Sequence, residues 1–227
     1  VDNNPMGLLW QEIYATSFRE HPYKNPVIGT MEDLDNVSAE IAQDFHRLYY
    51  SPSNAVVVIA GDFDLAQVKK LVQKYYGPIP RQEVKRPVLT PDPNQTSPRS
   101  AFVRREVAAW TFALSYPVPA AGSDEGFALD LLAAVMGRGP SSRLYKRIVY
   151  KDQKATSVNV MNNTLQDAGL FQIIVSLKPA KGAQAQFSDV QRAVYGEMWR
   201  PRNIAVSAAE LERARNQVIM SQVEGLK

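Results

Sequence analysis

Apolar positions recur with two different periods along this 227-residue chain. In residues 7–19, Leu8, Ile13, Tyr14 and Phe18 form a rough stripe at helical spacing. His21-Pro22 and Asn25-Pro26 break it, because the residue before a proline is pushed out of helical geometry. Ser38 offers a side-chain acceptor for a second helix, whose Ile41, Phe45 and Leu48 fall on one face. After the turn Ser51-Pro52-Ser53-Asn54 comes the run 55–60, rich in valine and isoleucine and closed by Gly61. Such a run predicts a strand buried on both faces. Asp64 then caps a helix with Leu65, Val68, Leu71, Val72 and Tyr75 inward, stopped by Gly77-Pro78.

Beyond residue 98 the rhythm becomes two strands, two helices, two strands, two helices. In residues 110–116, Trp110, Phe112, Leu114 and Tyr116 alternate with small or polar residues, the period of a strand with one apolar face. Ser123 caps a helix through Leu129, Leu132, Ala133 and Met136 to Gly137, and Ser141 or Ser142 starts the next, reaching Tyr150. Residues 155–161 and 170–177 read as strands, and 182–199 as a helix. Ser207 with Glu210 makes a capping box for a last helix whose buried stripe is Leu211, Ala214, Val218 and Ile219. This order predicts an α+β fold of two-layer α/β sandwich domains, with mixed or antiparallel sheets and helices on one face.

Between the two rhythms, residues 77–98 hold six of the fifteen prolines. Proline removes backbone donors and fixes φ, so this stretch reads as an extended linker. The expected organisation is a first segment 1–76, a linker 77–98 and a second segment 99–227. The chain opens Val1-Asp2-Asn3-Asn4-Pro5 without a Met and closes within a helical pattern, which reads as a piece of a longer protein.

Composition narrows the chemistry. With 45% hydrophobic and 22% charged residues the chain is ordinary globular protein, neither disordered nor a rod. No unbroken apolar run exceeds six residues, too short for a membrane-spanning helix. The absence of cysteine excludes disulfides, thiolate zinc sites, iron–sulfur clusters and a cysteine nucleophile. A net charge of +3 is too weak a field to read as nucleic-acid binding.

The two histidines, His21 and His46, stand on different elements, which excludes a readable Ser-His-Asp arrangement. Ser17-Phe18-Arg19-Glu20-His21 keeps only the final Glu-His of an H-x-x-E-H motif and cannot hold a three-ligand zinc. His21 is expected to shape its own loop. In Gly61-Asp62-Phe63-Asp64 the aspartates are expected to turn the chain and cap a helix. Gly137-Arg138-Gly139-Pro140-Ser141-Ser142 lacks the lysine of a phosphate loop and is expected to end one helix and start another. One basic segment stands out. Arg143, Arg147 and Lys151 share an i, i+4, i+8 face, either a solvated helix surface or a grip for anionic groups of a substrate. No catalytic or metal-binding residue is assigned within the chain.

Longer stretches carry a resemblance. They are His21-Pro22-Tyr23-Lys24-Asn25-Pro26-Val27-Ile28-Gly29, Phe45-His46-Arg47-Leu48-Tyr49-Tyr50-Ser51-Pro52-Ser53-Asn54 and Ile59-Ala60-Gly61-Asp62-Phe63-Asp64. Gly139-Pro140-Ser141-Ser142-Arg143-Leu144-Tyr145 and Ala168-Gly169-Leu170-Phe171 continue the series. Together they resemble the pitrilysin/insulinase-type zinc peptidases, the inverzincins, which include the mitochondrial processing peptidases. The resemblance implies repeated α+β domains closing a chamber around peptide substrates. It implies zinc held by H-x-x-E-H plus a later Glu, upstream of a stretch like Asp2-Asn3-Asn4-Pro5. The parent would then be a zinc peptidase, while this piece would carry no zinc ligand and cleave nothing alone. Many relatives carry, after the Ser-Arg-Leu helix, an Arg and about seven residues later a Tyr that contact substrate. Here Val149 and Thr156 stand at those positions. The resemblance thus implies a zinc-bearing half whose partner, a second family subunit or another copy, supplies the pair. The alternative is a catalytically inactive structural or partner-binding subunit. For a bacterial parent it implies the periplasm.

Overall fold

The computed structural model describes residues 4–84 and 88–225. Residues 1–3, 85–87 and 226–227 lie outside the described residues, and with them part of the opening stretch, of the proline-rich linker and of the final helical pattern. The chain forms two compact units. One is Glu20–Asn94; the other joins Val1–Arg19 to Gln95–Lys227. The chain therefore crosses between units twice, at 19/20 and at 94/95, the latter within the proline-rich stretch. The first helix, which sequence placed in the first segment, groups instead with the unit beginning at Gln95.

That larger unit is built on a three-stranded antiparallel sheet. Its strands are β1 (Thr111–Val118), β2 (Ala155–Thr164) and β3 (Gly169–Leu177), in the order β1-β3-β2. A single strand, rather than two, precedes the next helix. The central strand β3 pairs Val175 with Phe112 and Val158, and Ile173 with Leu114 and Val160. These residues share one sheet face. Against it pack α5 (Asp124–Gly137), a π-helical segment (Tyr145–Lys151) and α6 (Ala183–Trp199). Met136, Leu144, Ile148 and Val194 are buried there. Gly137 permits the closest approach. A Cβ on it would overlap the Val160 side chain and lie 2.8 Å from the Val160 backbone nitrogen.

The opposite face carries Leu170, Gln172 and Ile174 of β3, all buried. Helix α1 (Pro5–Ser17) lies against it, with Asn163 Nδ2 donating to Tyr14 Oη at 2.6 Å. The sheet thus has helical cover on both faces, where sequence placed helices on one. Helix α7 (Ala208–Glu224) packs on α5 through Ala214 and Val218. Leu211 and Ile219, expected in its buried stripe, are exposed.

The smaller unit holds α2 (Met31–Asn36), α3 (Ala39–Tyr49) and α4 (Leu65–Tyr76), each started by a side-chain cap. Ser38 Oγ accepts from Ile41 N and Asp64 Oδ1 from Gln67 N, as sequence predicts. Two expectations fail here. None of these three helices has a buried residue: the face assigned to α3 is exposed, and on α4 Val68 and Val72 are half-buried while Leu65, Leu71 and Tyr75 are exposed. The run 55–60 is neither strand nor buried. Its local composition favours a strand, but no sheet partner for it exists among the described residues.

Candidate functional site

The candidate site lies at the basic segment. Arg143, Arg147 and Lys151 do not form one free face. The segment Tyr145–Lys151 winds as a π-helix, and the Asp152 amide bonds back to the Arg147 carbonyl, an i→i+5 closure. Arg143 is also committed: its guanidinium makes a two-point ion pair with Glu210. Arg147 pairs with Asp152 at 3.2 Å, and Lys151 is exposed.

Arg147 instead opens onto a groove of about 690 Å³ between the π-helical segment and α6. Across it, Lys154 Nζ meets Asp189 Oδ2 at 2.6 Å, and Arg192 approaches the same carboxylate at 3.7 Å. Arg200 pairs with Glu197 at 3.0 Å, and Ala193 and Gly196 form the floor. The hydrogen bond and charge of Lys154, aided by Arg192, hold the Asp189 carboxyl below its usual value. Lys154 is placed by Gln153, which takes a left-handed φ of 52° at the exit of the π-helix.

Four cations face three carboxylates in this groove. Pairs this exposed are screened by solvent and hold weakly, so a ligand carboxylate can replace an internal partner at small cost. The groove is thus a mixed-charge surface held by exposed ion pairs. It carries no thiol, hydroxyl or imidazole to act as nucleophile or base. Sequence reading found Arg147 but missed its surroundings. The spacing of Asp189 to Arg192 and Glu197 to Arg200 is visible along α6, whereas Lys154 and Asp189 meet only through the fold.

Metal chemistry does not fit these residues. Among the described residues, no group of three His, Cys, Asp or Glu comes together. His21 is buried as a loop-former, its Nδ1 accepting from the Tyr23 amide at 3.2 Å and its ring against Tyr23. The other sequence candidates are also structural. Asp64 caps α4. Gly139 has a φ of 77° and accepts from Ser142 Oγ at the junction after α5. Val149 packs against the core and Thr156 Oγ1 donates to the Ser176 carbonyl. No helix among the described residues is long and apolar enough to cross a membrane.

The profile of the Peptidase M16 inactive domain matches residues 36–218, and the chain belongs to this family. It is 31% identical over 219 residues to the zinc protease PqqE of Helicobacter pylori, covering 95% of this chain and 48% of that protein. The crystal structure of a protease from the same organism superposes with a TM-score of 0.83 at 29% identity, over 99% of this chain and 54% of that one. A conserved protein of Enterococcus faecalis shares the fold, with a TM-score of 0.82 at 18% identity over 98% and 51%. The chain spans about half the length of the curated relatives it matches.

Proposed function

We propose that the chain is the non-chelating part of a zinc-dependent metalloendopeptidase that hydrolyses peptides in a closed chamber. It supplies chamber wall and substrate surface, and the parent protein holds the zinc. The match to the Peptidase M16 inactive domain carries this reading. Within the substrate surface, Arg147, Lys151 and the groove beside α6 take the part assigned to the basic segment. Arg143 is left to hold structure.

The partner is a second family subunit or another copy, which supplies the Arg and Tyr that Val149 and Thr156 replace. Introducing Arg at 149 and Tyr at 156 should leave parent activity unimproved, because the partner already supplies the pair; a large gain would count against the split site. The test of the whole reading is the coding sequence upstream of Val1. It is expected to encode H-x-x-E-H and a later Glu close before Val1. Their absence would make the parent a non-catalytic subunit. For a bacterial parent the periplasm is the proposed compartment.

A further inference from the structure

The sheet face beneath α1 holds polar groups that the fold does not satisfy. Gln172 lies near the middle of β3 and is fully buried, and among the described residues neither its Nε2 nor its Oε1 makes a hydrogen bond. Ser115, its register partner on β1, has a buried hydroxyl in the same state. Antiparallel partners point to one face, so the carboxamide and the hydroxyl lie side by side. Polar groups left so are costly, and they mark functional places in an otherwise consistent fold. The cover over them is thin. Of the 13 residues of α1, Ile13 alone is buried. Asn163 ties the helix to the sheet through Tyr14. Arg99 Nη1 holds its end, donating to the Thr16 and Ser17 carbonyls at 3.2 and 3.0 Å. No group of α1 hydrogen-bonds to the side chain of Gln172 or Ser115.

We propose that this face is a docking strip for an extended, uncharged peptide segment and that α1 is a displaceable cover over it. This rests on the reading of the chain as substrate surface of a peptidase. The chemistry of the strip selects that occupant. A carboxamide offers an N–H and a C=O side by side, which match the C=O and N–H of one peptide group in a two-point contact. Ser115 adds a hydroxyl for a neighbouring group. Leu170 and Ile174 flank Gln172 two positions away on the same face, both buried, and offer apolar contact on either side of the gripped peptide group. The strands β1, β2 and β3 carry no charged residue, so the strip favours neutral segments, in contrast to the groove beside α6.

Fluorescence anisotropy of a short fluorescein-labelled peptide of Leu, Val, Ser and Thr, titrated with the 227-residue chain, tests this. Loosening the cover should tighten binding. Tyr14→Phe removes the bond from Asn163, and Arg99→Ala removes the hold on the helix end. Each should lower Kd several-fold, because the uncovered state is then more populated. Gln172→Met should raise Kd at least about tenfold without lowering the thermal midpoint. A merely structural contact gives no such opposite responses. Saturating peptide should also speed hydrogen exchange at the α1 amides. Binding that Gln172→Met leaves intact, or α1 exchange unaltered by bound peptide, would overturn the proposal. So would absence of binding in the wild type and both α1 variants, which would leave the polar pair to a buried water. None of these measurements needs metal or cleavage. Chelator-sensitive cleavage by the intact parent tests the peptidase reading separately, since either result can fail without the other.

Discussion

Arg143 Nε donates to Glu210 Oε1 at 2.7 Å while Nη2 donates to Oε2 at 2.9 Å, joining the start of the π-helical segment to the first turn of α7. Glu210 also receives the Ser207 amide at 3.0 Å, closing the capping box that begins α7. One carboxylate therefore serves two jobs, a helix cap and an interhelical clamp. The side chains are 14% and 23% exposed, so solvent screens them little.

Glu210→Gln removes the charge while keeping the shape. Hydrogen bonds to charged groups contribute about 1.5–3 kcal/mol, and the expected loss in urea unfolding at neutral pH is of that order. Glu210→Ala should cost more still, because the Ser207 amide then loses its acceptor and the capping box keeps only the Ser207 half.

The same carboxylate sets an acid limit. The hydrogen bond from Arg143, followed by that from the Ser207 amide, holds the Glu210 carboxyl far below the usual carboxylate range. Its folded value is depressed, so the stabilisation is fully present above the unfolded value and is lost as pH falls below it. Unfolding midpoints of the wild type should drop steeply from about pH 5 downward. The Glu210→Gln variant should show a shallower slope over the same window; identical slopes would remove Glu210 from the acid transition.

Gly137→Ala places a methyl against the Val160 backbone. Because backbone cannot swing aside, overpacking of about 1–3 kcal/mol is expected. Thermal unfolding checks it, and combination with Val160→Ala should recover only part of the loss, since the backbone contact remains.

Gln172 is fully buried in β3, and among the described residues neither polar atom of its side chain has a hydrogen-bond partner. Ser115, its register neighbour, has a hydroxyl in the same state. Unmet buried polar groups cost about 1–3 kcal/mol each, so Gln172→Met should leave stability unchanged or raise it. Gln172→Glu should destabilise strongly, because it buries a charge. Chemical denaturation of the two variants decides this.

Arg147→Glu together with Lys151→Glu, made in the parent, should slow cleavage of acidic peptides several-fold while sparing neutral ones. Rates compared at low and high salt check it, since exposed charges are screened by salt. Equal rates on acidic peptides would take the basic segment out of substrate binding.

What sequence conveyed well was local. Ser38, Asp64, Ser123 and the Ser207–Glu210 box cap the helices assigned to them, because a cap is settled within four residues. Strand β1 is readable from the alternation of Phe112, Leu114 and Tyr116 with smaller residues, and β3 from its richness in β-branched residues. Two readings failed where the outcome depends on distant chain. The run 55–60 carries a strand's composition without a sheet to join. The 143–147–151 face is broken up by ion pairs that spacing does not reveal: Arg143 is drawn to Glu210, 67 residues away, and Arg147 to Asp152. Likewise, α1 has an apolar stripe that says it is buried but not that its target is the far side of a sheet beginning at Thr111.

The most direct measurement is zinc content and peptide cleavage, made in parallel on the 227-residue chain and on its intact parent. The account predicts bound zinc and chelator-sensitive cleavage in the parent, with neither in the chain. Stoichiometric zinc in the chain, or parental cleavage that survives chelation, would contradict it.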